Sequence, residues 1–234
     1  MTIVVSPMIH FDQVTKVHRD GTSGLDGVTL KISPKEFVSI VGHSGAGKTT
    51  LLKMLLAEDR PTEGTVFFED IDVHAVPKGS LHHYRRKIGM VFQDFRLIPH
   101  KTAYENIAFA MEAAGRPQDE IDSDVPHVLG LVDLADKAWH FPHQLSGGEQ
   151  QRVAIGRAII NQPDVIVADE PTGNLDPVNT FEIMDILKKI NELVGTTVLI
   201  TTHNKGVVDS LGKRVVTMER GKVVRDDAQG QYVL

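Results

Sequence analysis

The sequence predicts an α/β protein built on a mainly parallel core sheet. Three observations carry that expectation. Apolar strand-like runs alternate with helical patterns along the chain, an order that produces a parallel sheet. One run, 37–41, opens directly into Gly42-His43-Ser44-Gly45-Ala46-Gly47-Lys48-Thr49 and then a helical stretch. Another, 165–168, ends in the carboxylate pair Asp169-Glu170. Strand ends are where α/β proteins place ligands.

Taken in order, strands are expected over 9–14 and 28–32, with a turn signal at Asp20-Gly21. The run 37–41 is mostly apolar, of the kind buried in a sheet core. Leu51, Leu52, Met54, Leu55 and Leu56 mark the helix after the glycine-rich loop. Arg60-Pro61-Thr62-Glu63-Gly64 breaks the chain before a strand over 65–69, and 88–92 reads as the next strand. Residues 94 to about 141 read as largely helical, with breaks at Gly115, Pro117 and Pro126. A helix is expected over 150–160, then the strand 165–168. Asp176 is placed to cap the next helix, with Pro177 at its first position. Ile183, Ile186, Leu187 and Ile190 mark its buried face. A strand over 197–201 follows, and Arg220-Gly221 turns a closing hairpin.

Composition bounds the reading. The 234 residues suit one large domain, or a domain with a subdomain, and allow a sizeable core. Hydrophobic content of 41% and charged content of 24% are ordinary for a globular protein. A net charge of −6 gives no case for nucleic-acid binding. Cysteine is absent, so disulfide frameworks and cysteine-based metal or nucleophile sites are excluded. No apolar run approaches the ~18 residues that span a bilayer. The opening Met1-Thr2-Ile3-Val4-Val5-Ser6-Pro7 lacks the basic flank of a signal peptide. Work at a membrane would therefore need a recruiting partner. Paired histidines at His82-His83 and at His140 and His143 lack the cysteine or acidic neighbours of a transition-metal site. Arg85-Arg86-Lys87 reads as a solvated face.

Residues 42–49 fit the G-x-x-x-x-G-K-[ST] phosphate loop in the strand–loop–helix context it needs. Gly42, Gly45 and Gly47 let backbone N–H groups turn inward around phosphate oxygens. His43, Ser44 and Ala46 complete the cradle, and Thr50 follows it into the helix, whose N-terminus faces the anion. Lys48 is expected to reach the β- and γ-phosphates, and the Thr49 hydroxyl to ligate Mg²⁺. A second string, Leu145-Ser146-Gly147-Gly148-Glu149-Gln150, opens a helix. Ser146 and Glu149 form a capping box. Gly147 and Gly148 weaken a first helical turn, yet they suit a phosphate that approaches the backbone closely.

With these two strings the chain resembles the ABC ATPase family, whose signature is Leu-Ser-Gly-Gly-Glu-Gln, and the resemblance covers nearly the whole sequence. It implies the P-loop NTPase fold of that family, with an antiparallel β subdomain and a helical subdomain added to the parallel core. The implied layout is one ABC ATPase domain over 1–234. The core and antiparallel β region cover about 8–92, the helical subdomain about 94–160, and the core resumes over 161–234. ATP and Mg²⁺ are the implied ligands. The resemblance also implies a homodimer with ATP sandwiched between Gly47-Lys48-Thr49 of one copy and Ser146, Gly147, Gly148 and Glu149 of the other.

The same resemblance assigns the remaining parts. Asp169 is the Walker B aspartate that holds Mg²⁺ through water, and Glu170 is the general base for the attacking water. Gln93 is the Q-loop glutamine, touching Mg²⁺ and the water and reporting to a membrane partner. His203 is the switch histidine on the γ-phosphate. Asp176 is the D-loop aspartate at the dimer interface, a role compatible with its helix cap. His18 occupies the register where the family stacks an aromatic on adenine, with a smaller face than the usual tyrosine. Gly156 stands where the signature helix more often has alanine.

Within the family the chain is similar to the cell-division branch, Gram-positive type. The strings that carry this are Gly42-His43-Ser44-Gly45-Ala46-Gly47-Lys48, Val91-Phe92-Gln93-Asp94-Phe95-Arg96-Leu97, Lys101-Thr102-Ala103-Tyr104-Glu105-Asn106, the run from Ala168 to Pro177, and the tail Val224-Arg225-Asp226-Asp227-Ala228-Gln229-Gly230-Gln231-Tyr232. That branch implies an integral membrane partner of permease type, a peripheral position on the cytoplasmic face of the cell membrane, and an indirect link to peptidoglycan hydrolases. Lipoprotein-release and macrolide-export ATPases share the Ala168–Pro177 run and stay open as the alternative. A nucleotide-gated division scaffold also stays open.

Overall fold

The computed structural model describes residues 6–230. The apolar start at 1–5 and the last two residues of the family-like tail, Gln231 and Tyr232, lie outside them. The elements run β1 (Ile9–Val17), β2 (Ser23–Ile32), β3 (Phe37–Val41), α1 (Lys48–Leu55), β4 (Glu63–Phe68), β5 (Ile71–Asp72), α2 (Leu81–Arg86), β6 (Ile88–Phe92), α3 (Ala103–Ala114), α4 (Gln118–Leu131), α5 (Gly147–Ile159), β7 (Val165–Asp169), α6 (Pro177–Lys189), β8 (Thr197–Thr202), α7 (Lys205–Leu211), β9 (Arg214–Glu219) and β10 (Lys222–Asp227).

Two sheets result. The core sheet has the order β10-β9-β3-β8-β7-β6. Its strands β9 to β6 are parallel, and β10 is antiparallel at one edge. The second sheet, β2-β1-β4-β5, is antiparallel. Every residue of β3 and β8 is buried, as expected for parallel strands covered on both faces. Alternate residues serve opposite faces. Val38, Ile40, Val165, Val167 and Leu199 pack with α1 and the antiparallel sheet. Ile166, Ala168, Val198 and Ile200 pack with α3, α4, α5 and α6. The core sheet therefore separates two apolar layers, and α1 lies in the one shared with the second sheet.

Several expectations need correction. β1 does not stop at Val14, and β2 starts at Ser23 rather than Val28. The pairing of these strands shifts register between Phe11 and Val14. Gln13 (φ 49) and Gly27 (φ 59) adopt left-handed backbone there. Such bulges interrupt the alternation that sequence pattern reads but not the ladder itself. Pro126 does not break the chain: it sits inside α4. Burial of Ile121, Val125, Val128 and Leu129 along one face of α4 outweighs the roughly 3 kcal/mol that an interior proline costs. Helix α2, with Tyr84 its one buried residue, has no apolar periodicity to mark it in the sequence. Arg85 and Arg86 are exposed and Lys87 partly so, as a solvated face should be, and each of these cations also holds an acceptor. Arg85 Nε and Nη2 donate to the carbonyls of Leu56 and Ala57 at 3.1 and 3.2 Å. Arg86 Nη2 donates to Ala113 O at 2.7 Å, and Lys87 Nζ to Glu69 at 3.0 Å.

The closing hairpin behaves as its turn residues dictate. Arg220 (φ 47) and Gly221 (φ 80) both take positive φ, the geometry of a two-residue turn whose twist matches its strands. Gly221 N donates to Ala46 O at 3.0 Å, and Asp26 N to Gly221 O at 2.9 Å. The hairpin turn is thereby clamped between the glycine-rich loop and β2.

Candidate active site

The loop between β3 and α1 is shaped by close backbone approaches. A Cβ on Gly42 (φ 156) would lie 2.4 Å from Met218 O, and one on Gly47 (φ 103) would lie 2.6 Å from Gly24 O. Gly47 is the N-cap of α1. Lys48 is 6% exposed. Its Nζ donates to Gly42 O at 2.8 Å and His43 O at 3.1 Å, so the ammonium folds over its own loop.

The neighbouring strand ends supply the carboxylates. Parallel pairing of β3 with β8 and of β8 with β7 brings Val41, Thr201 and Asp169 to one end of the sheet. Thr49 Oγ1 lies 3.2 Å from Asp169 Oδ2. Thr201 Oγ1 donates to Asp169 Oδ1 at 2.6 Å. The same hydroxyl and the Thr201 carbonyl both accept from Glu170 N at 3.1 Å. Glu170 holds left-handed backbone (φ 47) and turns its carboxylate toward Lys48 Nζ, 3.8 Å away. His203 Nδ1 sits 3.0 Å from the other Glu170 oxygen. Thr201 thus holds the Asp169 carboxylate and the Glu170 backbone, a role that no motif in the sequence marks. The Thr201-Thr202-His203 string beside an acid-ending strand was the available signal.

A cleft of about 370 Å³ opens beside this group, lined among others by His18, Ser44, Gly45, Lys48, Thr50 and Glu170. His18 is packed close to Gly24, where a Cβ would lie 2.6 Å from the imidazole Nε2. Gly24 thus gives His18 its place, which spacing alone does not reveal. His43 is exposed on the flank of the loop.

The other residues singled out lie apart from that cleft. Gln93 is exposed and exchanges two hydrogen bonds with Asn174, at 3.2 and 3.1 Å; it does not reach Asp169 or Glu170 here. Ser146 caps α5 as expected. Its hydroxyl accepts from Glu149 N at 3.3 Å, and its own N–H donates to the Glu149 carboxylate at 2.7 Å. That bond is the main cause of a Glu149 carboxyl held below its ordinary value. None of Ser146, Gly147, Gly148 or Glu149 lines the cleft. Gly148 has an internal reason for being bare: a Cβ there would lie 1.8 Å from Asn179 Oδ1. Gly147 has more room, with Leu175 at 3.4 Å. Asp176 caps α6, accepting from Val178 N at 2.9 Å and Asn179 N at 3.1 Å. It also accepts from the Asn179 side chain, and that bond is the largest cause of its lowered pKa. Gly156 is explained by Ile107, whose Cδ1 would lie 2.8 Å from an added Cβ.

The sequence profile of the ABC transporter family matches residues 25–173. The chain belongs to the ABC transporter ATPase family. ABC ATPases bind and hydrolyse ATP, and so does this chain. Similar proteins include the cell division ATP-binding protein FtsE of Bacillus subtilis, 48% identical over 96% of this chain and 98% of that protein. FtsE of Mycobacterium tuberculosis is also 48% identical, over 96% and 98%. A methionine import ATP-binding protein, MetN 1 of Bacillus thuringiensis subsp. konkukian, is 41% identical, over 94% of this chain but 66% of that protein. Among solved structures, the ABC cassette MJ0796 in a dimeric post-hydrolysis state bound to ADP and Pi has a TM-score of 0.86 at 39% identity, covering 96% of this chain and all of that one. ABC cassettes pair with membrane components and dimerise. No helix among the described residues is long and apolar enough to cross a membrane.

Proposed function

We propose that this ABC ATPase serves an FtsE-type complex in cell division. Two copies close on two ATP molecules, hydrolyse them and reopen. An FtsX-type integral membrane protein carries that motion across the membrane to peptidoglycan hydrolases, and the ATPase sits on the cytoplasmic face through that partner. The observation that carries the hydrolytic part is the convergence of Lys48, Thr49, Asp169, Glu170 and His203 beside one cleft. The near full-length likeness to FtsE proteins supports the cell-division part.

In this reading Lys48 exchanges the carbonyls of Gly42 and His43 for the β- and γ-phosphate oxygens, and the N-terminus of α1 adds its backbone donors. The Thr49 hydroxyl and Asp169 carboxylate are hard oxygen donors, side by side, which fits Mg²⁺. Bound there, with Gln93 nearby in the closed state, that ion would neutralise charge on the phosphates. Glu170 takes a proton from the attacking water as the water oxygen bonds to the γ-phosphorus. The bond from that phosphorus to the bridging oxygen breaks, and ADP and phosphate leave. His203 holds the Glu170 carboxylate and contacts the γ-phosphate. His18 stacks on adenine. The turn from Ser146 to Glu149 lies outside its own cleft, so it closes over the ATP of the other copy, with Asp176 at the same interface.

The test is Glu170→Gln with Mg-ATP. A stable dimer by light scattering with no phosphate release is expected. Turnover at the wild-type rate would remove Glu170 from its role. If the variant also supports division in cells, the nucleotide-gated scaffold is the better reading. The same trapped dimer, used as bait in detergent-solubilised membranes, identifies the partner by mass spectrometry. A permease whose extracellular domain binds a peptidoglycan hydrolase supports the division assignment. A partner devoted to lipoprotein release or drug efflux would move the chain to the export branch.

A further inference from the structure

Gln151 is fully buried on α5, one turn beyond the signature glycines. Its amide nitrogen donates to Pro171 O at 2.7 Å and to Phe92 O at 3.2 Å. The two carbonyls belong to different strand ends. Phe92 immediately precedes Gln93, and Pro171 immediately follows Glu170. The ladder between β6 and β7 has its last pair at Phe92 and Asp169. Beyond it the two chains diverge into the segments that carry Gln93 and Glu170. The Gln151 amide spans that gap with both of its hydrogens.

The other half of the amide is idle: Gln151 Oε1 is buried without a hydrogen-bond partner. An orphaned acceptor costs stability, and a side chain needed only to fill space would carry no such oxygen. What the amide contributes is its pair of donors. Arg157, further along α5, repeats the arrangement on the far side of Gln93. Its guanidinium donates to Phe95 O at 2.8 Å and Arg96 O at 2.5 Å. Phe95 (φ 58) and Arg96 (φ 48) are both left-handed, a costly pair held by neighbouring structure.

We infer that Gln151 is a positioning residue for hydrolysis. It sets Gln93 and Glu170 relative to each other by holding the Phe92 and Pro171 carbonyls from one rigid helix. Because that helix begins at the signature, movement of the signature onto a second copy's ATP is transmitted to the Glu170 and Gln93 of its own chain. The inference rests on the proposed roles of those two residues.

The test uses the full chain with Gln151→Met, which keeps the side-chain length and removes both donors and the idle oxygen. ATP-binding sites are counted by calorimetry, and kcat is expressed per binding-competent site, so that loss of folded protein does not register. The expected result is ATP affinity within about threefold of wild type and kcat per site lower by about tenfold or more, the scale of a misplaced catalytic group. Gln151→Met combined with Glu170→Gln should still form the ATP-bound dimer, since phosphate loop and signature are untouched. Wild-type kcat per site would overturn the inference. If Gln151→Met does not fold, Gln151→Asn carries the same test: its amide is too short to span both carbonyls. Loss of turnover in Glu170→Gln with retained turnover in the Gln151 variant defeats this inference alone. Wild-type turnover in Glu170→Gln defeats the site reading, and this inference with it.

Discussion

Lys48 is satisfied by two carbonyls of its own loop at 2.8 and 3.1 Å, so a phosphate must outcompete them. A phosphate oxygen carries negative charge where a carbonyl is neutral, so it is the stronger acceptor for the ammonium. Lys48→Ala should weaken ATP binding by roughly 2–3 kcal/mol, about 100-fold, by calorimetry; micromolar affinity retained in that variant would contradict the assignment. Gly148 poses a different question, because Asn179 excludes a side chain there and Asp176 anchors Asn179. Gly148→Ala should cost about 1–3 kcal/mol by overpacking. Adding Asn179→Ala should recover most of it in chemical denaturation. A double variant that folds yet does not hydrolyse ATP would show that the ligand, too, needs a bare glycine. Glu149 brings in pH. Its carboxyl lies below the usual value of 4.5, chiefly through the Ser146 N–H. A depressed carboxylate adds stability above that value and loses it as pH falls through the folded-state pKa. Glu149→Gln keeps an acceptor for the cap without the titration. Melting temperatures of the two proteins should therefore converge as pH drops below 4.5; curves that stay parallel would assign the acid loss to other carboxylates. The motif residues were legible because their chemistry fixes residue type and spacing together. Thr201, Gly24 and Asn179 were not, because each acts on a residue remote in sequence that only the fold brings near.

Among the elements, α2 shows what pattern reading misses. It is short and mostly exposed, and its task is to close another helix. Helix ends leave carbonyls without partners. The Tyr84 hydroxyl donates to Leu55 O, and Arg85 donates to the carbonyls of Leu56 and Ala57. The C-terminal end of α1 is thus capped from outside, with a cation where the helix dipole favours one. Burial pushes the Tyr84 phenol well above its ordinary pKa, so it remains a donor throughout the working range. Tyr84→Phe should destabilise the fold by about 1–3 kcal/mol, leaving a buried carbonyl unpaired. Urea denaturation measures this, and an unchanged midpoint would mean that the carbonyl finds another donor. The buried parallel strands and α5 are readable from apolar runs and a capping box. The bulged ends of β1 and β2 and the continuity of α4 through Pro126 are not, since tertiary packing decides both.

At the scale of the molecule, α1 lies between the core sheet and the antiparallel sheet, and both sheets contribute to one apolar layer around Leu51, Leu52, Met54 and Leu55. The phosphate loop at its head is therefore walled by residues drawn from the whole chain. Gly24 comes from β2, Met218 from β9, and Gly221 from the turn that follows. That last contact bears on synthesis. Chains emerge from the ribosome at roughly 5–20 residues per second, N-terminal end first. The loop at residues 42–49 leaves early, but the backbone donor that secures Ala46 arrives only with Gly221. A nascent chain arrested before that hairpin carries a complete phosphate-binding sequence with one wall missing, so nucleotide capture should wait until the hairpin has emerged and docked.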